Sequence, residues 1–125
     1  INGGVQLDLM GQENAESTGT RQLSGVGGQM DFLEGAYRSK GGKGFICINS
    51  SRVTKDGERK SNILATIPGG STISAPRTMI QYVATEYGIA SLSGKTLRER
   101  AEAMAAIAHP DFREELMKYA RENFK

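Results

Sequence analysis

Residues 24–32 read SGVGGQMDF and set Gly25, Gly27 and Gly28 directly ahead of a helical pattern. A glycine-rich loop that runs into a helix N-terminus presents unpaired backbone N–H groups and lets negative charge approach them closely. The spacing fits neither the dinucleotide fingerprint nor a P-loop. The residues by themselves therefore leave a tight turn and an oxyanion or phosphate cradle both open. Ser24 and Gln29 flank the glycines with side chains able to hydrogen bond, although helix capping is an equal use for Ser24. Glu86, in TEYG at the end of an apolar run, is the most conspicuous carboxylate. It is either a solvated strand-end charge or part of a site, since ligands of open α/β sheets gather beyond the carboxyl ends of the strands. Arg77 follows SAP on a Gly/Ser loop and offers a planar fork to a carboxylate, or is a surface cation.

Other residues invite bland readings. His109 is the only histidine, stands beside no Ser-His-Asp or metal-ligand spacing, and reads as a cap before Pro110, so no metal site is expected. Asp8, Glu13 and Glu16 are by default solvated loop charges. Cys47, the single cysteine, lies in the apolar run Phe45-Ile46-Cys47-Ile48 and is expected to be a buried structural thiol.

The elements that would position these residues follow from periodicity. Val5, Leu7 and Leu9 alternate with polar neighbours and predict a strand with one buried face. Residues 11–28 hold almost no apolar side chain and read as a long, functional loop. Met30, Phe32, Leu33, Ala36 and Tyr37 are spaced as on a short helix over 29–37, and Lys40 to Lys43 is a turn. Strand candidates at 43–49 and 61–67 surround a polar hairpin centred on Asp56-Gly57. The loop PGGSTISAPR (68–77) leads to a central strand over 79–85, closed by Gly88. Thr96 and Glu99 make a capping box for a helix from about Leu97 to Ala108 whose stripe is Leu97, Ala101, Met104, Ala105 and Ala108. Pro110 starts a second helix with the stripe Phe112, Leu116, Tyr119 and Ala120. The order fits an α/β layered domain: a mixed sheet, flanking helices and a C-terminal helical pair.

Bulk properties narrow the partners. The chain of 125 residues is long enough for one domain. Its 16 Lys plus Arg against 14 Asp plus Glu leave a net charge of +2 with the signs interspersed, which gives little support to a nucleic-acid or membrane partner. A lone cysteine and the lack of a long apolar segment or leader predict a soluble, cytoplasmic protein. Because it starts at Ile1, within a strand-like stretch, the chain is expected to be a fragment of something longer.

Four stretches in the same order, GTRQLSGVGGQMDFLEGA, PGGSTISAPR, YVATEYGIASLSGKTLRERA and IAHPDFREEL, carry a resemblance that covers essentially the whole chain: it resembles the C-terminal domain of the acetyl-CoA hydrolase/transferase family, which includes 4-hydroxybutyrate CoA-transferase. That resemblance implies two α/β CoA-transferase domains with the active site between them, this chain being the second and the N-terminal domain its partner. It implies exchange of CoA between an acyl-CoA and a small carboxylate through a thioester on an enzyme glutamate in the other domain, with coenzyme A as substrate and no cofactor. The backbone at Gly27 and Gly28 would hold the developing oxyanion, and Glu86 would support the site. Ser24, Gly25, Val26, Gln29 and Arg77 are the expected substrate and CoA contacts, and for Lys40 and Lys43 contact with CoA phosphates and a mobile turn are equal readings. The family commonly carries arginine at the place of Asn62 and threonine at that of Ala75, departures that leave a basic contact at 62 in doubt and substrate preference open. Hydrolysis of an acyl-CoA is the neighbouring alternative, a non-catalytic CoA- or nucleotide-binding module is one of another class, and a homo-oligomer is expected.

Overall fold

The computed structural model describes residues 1–125. The chain opens with β1 (Asn2–Gly3) and β2 (Gln6–Asp8), and the polar stretch after it forms β3 (Glu13–Asn14), β4 (Ser17–Thr18) and β5 (Arg21–Gln22). Helix α1 (Gln29–Arg38) precedes β6 (Phe45–Cys47), then β7 (Ser51–Val53), β8 (Arg59–Ser61) and β9 (Ile63–Leu64). Strands β10 (Tyr82–Thr85) and β11 (Gly88–Ser91) lead to helices α2 (Leu97–Ala106) and α3 (Pro110–Asn123).

The main sheet has the order β1-β6-β10-β11. Its first three strands are parallel, with Asn2 opposite Ile46 and Ile46 opposite Val83, and β11 returns antiparallel to β10. The carboxyl ends of β1, β6 and β10 therefore share one edge. Strand alternation decides which side chains enter the core. Ile46 and Val83 are fully buried, whereas Phe45 and Tyr82 stack on the opposite face with ring centroids 4.9 Å apart. Cys47 stands on that second face and is exposed, which corrects the expectation of a buried thiol: period two puts it opposite Ile46.

A smaller sheet, β3-β2-β9, carries Leu7 and Ile63 into the same core. Here both faces of β2 are covered, since Gln6 and Asp8 are buried along with Leu7, so the single buried face read from the alternation was too little. Residues 11–28 are not one exposed loop either. They fold into β3, β4 and β5, and their first half is interior.

Elsewhere the patterns locate elements better than their ends. Asp56-Gly57 turns the β7–β8 hairpin with Gly57 at φ +81°. The strands read at 43–49, 61–67 and 79–85 shrink to β6, β9 and β10, and Gly88 begins β11 rather than closing the strand before it. Helix α1 covers the expected residues but buries only Leu33, with Phe32 69% exposed.

The capping box of Thr96 and Glu99 is complete at the start of α2, and Ala101, Met104 and Ala105 are buried on it. Leu97, read as core, is 39% exposed because it opens the helix at the rim. His109 caps α3, its Nδ1 accepting a 3.3 Å hydrogen bond from the Asp111 N–H. Leu116 and Ala120 anchor α3, with Phe112 and Tyr119 half-buried beside them. No helix is long and apolar enough to cross a membrane.

Candidate functional site

The backbone N–H groups of residues 25–30 donate to nothing within the chain. Gly28 is the N-cap of α1 with no side chain capping it, so the free donors of the loop continue into those of the first helical turn. Gly27 takes φ +64°, a conformation that a residue with a Cβ adopts only with strain. Neither strain nor crowding explains the other two glycines. A Cβ at Gly25 would meet nothing within 4 Å, and one at Gly28, where φ is −101°, would lie 3.7 Å from Asp31 Oδ2. The space over this loop is open, its donors are unpaired, and the helix dipole adds partial positive charge. Such an arrangement can hold an anion or a carbonyl oxygen gaining charge.

Buried polar side chains fix the loop at both ends. Asn14 Oδ1 accepts from the N–H groups of Glu16 and Ser17, tightening the chain before the loop. The carbonyl of Glu16 accepts from Leu23 and Ser24 N–H at 2.7 and 3.2 Å, and its carboxylate accepts from Gln22 Nε2 at 2.9 Å and Ser74 Oγ at 2.7 Å. The entrance of the glycine loop is thereby joined to loop 68–77. At the exit, Gln29 Nε2 donates to both carboxylate oxygens of Glu13 at 2.7 Å. Burial is the larger influence on Glu13 and outweighs the bond from Gln29, pushing its pKa from 4.5 up to about 7. Asp8, Glu13 and Glu16, expected to be solvated, are all buried, because the Asn, Gln and Ser residues around them supply the hydrogen bonds that water would have given.

Glu86 lies in the two-residue turn between β10 and β11, beyond the carboxyl end of a parallel strand. It is exposed, and its carboxylate accepts from Ser50 N–H at 2.9 Å and Ser50 Oγ at 2.7 Å. Desolvation would raise its pKa, yet the Ser50 bonds, with help from His109, hold it below the ordinary carboxylate value. Glu86 is therefore ionised at neutral pH. A pocket of about 400 Å3 opens at the same edge, lined by Gly4, Cys47, Ile48, Asn49, Ala84 and Thr85. Glu13 borders this edge too, for its Oε1 lies 2.7 Å from where a Cβ of Gly4 would stand. No hydrogen bond links Glu86 to the glycine loop.

The remaining expected contacts scatter. Ser24 caps no helix, since α1 starts beyond Gly28; its hydroxyl donates to the Gly25 carbonyl. Val26 is exposed at the loop tip. Arg77 is exposed and meets Met10 Sδ at 3.8 Å rather than a carboxylate. Asn62 is buried, accepting from Arg52 and donating to the Asn49 carbonyl, so it serves the hairpin.

Sequence reasoning missed Arg100. It is 8% exposed, donates to the carbonyls of Met10, Leu92 and Arg77, and has its pKa drawn down by burial. Its place three residues after Leu97 and four before Met104, within the apolar stripe, was the available signal. The largest cleft, about 460 Å3, lies between the β7–β8 hairpin and α3, with Arg59, Ile63 and Phe112 in its wall, and includes none of the expected site residues.

The family described as the acetyl-CoA hydrolase/transferase C-terminal domain matches residues 1–120. The butyryl-CoA:acetate CoA-transferase of Anaerostipes caccae is 49% identical over 120 residues, covering 96% of this chain and 27% of its own. The 4-hydroxybutyrate coenzyme A transferase of Clostridium kluyveri is 50% identical over 124 residues, covering 99% of this chain and 28% of its own. The crystal structure of RipA from Yersinia pestis superposes with a TM-score of 0.83 at 40% identity, over 98% of this chain and 27% of that one. The chain thus spans a little over a quarter of the length of the proteins it matches.

Proposed function

The chain belongs to the acetyl-CoA hydrolase/transferase family as its C-terminal domain, and from that premise we propose that the full-length protein moves coenzyme A between an acyl-CoA and a small carboxylate, with this domain supplying the oxyanion donors. The unpaired N–H groups of residues 25–30 are the observation that carries the reading. When a carboxylate attacks the thioester carbon, the carbonyl oxygen takes up the electron pair, and fixed donors facing that oxygen lower the barrier by a few kcal/mol. Collapse of the adduct returns the pair to the carbonyl and expels CoA as thiolate. The thiolate then attacks the acylated enzyme carboxylate, which leaves CoA on the enzyme and frees the first acid, and an incoming carboxylate takes CoA by the reverse sequence.

In this scheme the nucleophilic glutamate belongs to the part of the polypeptide outside these 125 residues. Glu86, held ionised by Ser50 at the strand edge, is assigned a supporting role beside the pocket. The acyl-CoA site is shared with the rest of the polypeptide, for which Leu23, Val26 and Phe32 offer exposed apolar surface on the loop and α1. Assembly into a homo-oligomer and a cytoplasmic setting belong to the same proposal.

The test is turnover by the full-length protein with an acyl-CoA in the presence and absence of an acceptor carboxylate. New acyl-CoA formed only with the acceptor is the expected result. Free CoA released at the same rate without an acceptor would make the protein a hydrolase, and CoA binding with neither outcome would make it a binding module.

A further inference from the structure

We propose that Glu13 is a positioning residue for this reaction: through the amide of Gln29 it fixes the exit of the glycine loop against the carboxyl edge of the main sheet. The proposal rests on the transferase reading above. Glu13 is 0% exposed and forms no ion pair, so its carboxyl occupies the interior without a compensating cation. Burying an acid in this way is costly unless hydrogen bonds compensate it, and the side-chain donor to this carboxyl is Gln29.

The backbone of Glu13 already performs the structural work at this position. Its N–H donates to the Ala75 carbonyl at 3.1 Å, and its own carbonyl accepts from Ser74 and Ala75 N–H at 2.7 and 3.3 Å. An aliphatic side chain would meet the same demands. What the carboxyl adds is its contact with Gln29, the first residue of α1 and the neighbour of Gly28, whose own N–H is one of the unpaired donors.

The other end of the contact is equally defined. Glu13 Oε1 would be 2.7 Å from a Cβ on Gly4, and that same Cβ would be 3.2 Å from the Cγ2 methyls of Ile46 and Ile48. The carboxyl is thus seated on the ends of β1 and β6, and Gln29 hangs from it. Glu16 secures the entrance of the loop through Leu23 and Ser24. From residue 25 to residue 30 no backbone donor is tied down; the Gly28 carbonyl accepts from Asp31 and Phe32 N–H within the first turn of α1, and the Glu13–Gln29 pair is the side-chain link that ties that turn to the sheet. Donors aimed at a developing oxyanion lose their effect when they shift by a fraction of an ångström.

The experiment is steady-state CoA transfer by the full-length protein carrying Gln29→Met, Glu13→Met, both together, or Glu13→Gln. Each Met variant is expected to lower kcat about tenfold or more, with KM for the acyl-CoA changed less than about threefold. The double variant should be no worse than the poorer single one, since either change breaks the same link. Glu13→Gln keeps an acceptor for Gln29 and should retain at least about a third of kcat. Undiminished kcat in Gln29→Met overturns the proposal, as do losses that multiply in the double variant or a Glu13→Gln variant as impaired as Glu13→Met. Gln29 is half-exposed, so its variant folds and decides the matter even where Glu13→Met does not. An inactive wild type would sink the transferase reading together with this one, whereas an active wild type beside an unaffected Gln29→Met would sink this one alone.

Discussion

At Gly28 the fold and the chemistry make different demands. Its φ of −101° suits any residue, and the nearest atom to an added Cβ is 3.7 Å away. Gly28→Val should therefore leave thermal stability close to that of the parent, yet a branched side chain beside the free N–H groups would displace whatever they hold. In the full-length enzyme we expect kcat to fall by ~10² or more. Wild-type kcat in a folded Gly28→Val variant would reduce the loop to a turn. Glu13 gives a second prediction with a definite sign. Its carboxyl binds a proton more tightly folded, at about 7, than unfolded, at 4.5. The stability this provides is fully present below about 4.5 and is lost as pH climbs toward 7, after which the loss levels off. Relative to wild type, Glu13→Gln should gain stability across that interval, by at most about 3 kcal/mol, because the amide has no proton to lose. Urea unfolding of the 125-residue chain at pH 4.5 and 7.5 measures this, and a difference that is the same at the two pH values would show that Glu13 titrates alike in the folded and the unfolded chain.

Helices α2 and α3 are the elements that periodicity described best, because their burial is one-sided and their caps are local. Leu116 is 6% exposed on α3, so Leu116→Ala should cost ~2–5 kcal/mol in the unfolding of the chain while leaving CoA binding by the full-length protein unchanged. Intact stability with weakened CoA binding would put the helical pair in the site instead. The complete capping box predicts a loss of ~1 kcal/mol for Thr96→Ala. The polar half of the molecule resisted the same treatment for a physical reason. Hydrophobic periodicity reports where apolar side chains point, and residues 11–17 are buried or partly buried with no apolar side chain larger than that of Ala15; Asp8, Glu13, Asn14 and Glu16 are held by one another's neighbours through hydrogen bonds that no spacing rule encodes. The three glycines marked the loop correctly, but nothing in the order of residues said that Gln29 would turn back onto Glu13, sixteen positions earlier. Burial misled in the opposite direction at Phe32 and Leu97, which have core-like spacing and an exposed place. Motif resemblance was readable where periodicity was silent, because it depends on which residues stand in order rather than on what they pack against.

On the scale of the whole molecule, the proposed transfer puts the donors on this chain and the nucleophile outside it. Covalent catalysis by a carboxylate needs that group within attacking distance of the thioester carbon while the carbonyl oxygen faces the donors, and several kcal/mol of the barrier depend on that geometry. Glu86 is the rival within these residues, being ionised and placed at the strand edge. Its carboxylate is occupied by two hydrogen bonds from Ser50, which stabilise the charge and blunt attack, and nothing ties it to the loop that would receive the oxyanion. The exposed Leu23, Val26 and Phe32 around that loop leave apolar surface for a second body to cover. The 125-residue chain by itself should then neither transfer nor hydrolyse CoA, and transfer should appear when it is joined to the rest of the longer polypeptide. Incubating each form with an acyl-CoA, trapping the intermediate and mapping it by peptide mass spectrometry locates the nucleophile directly. The full-length protein is expected to carry CoA on a glutamate outside these residues, and the isolated chain to carry none. A CoA thioester on Glu86 in the isolated chain would place nucleophile and donors in the same domain and overturn the division of labour between the two.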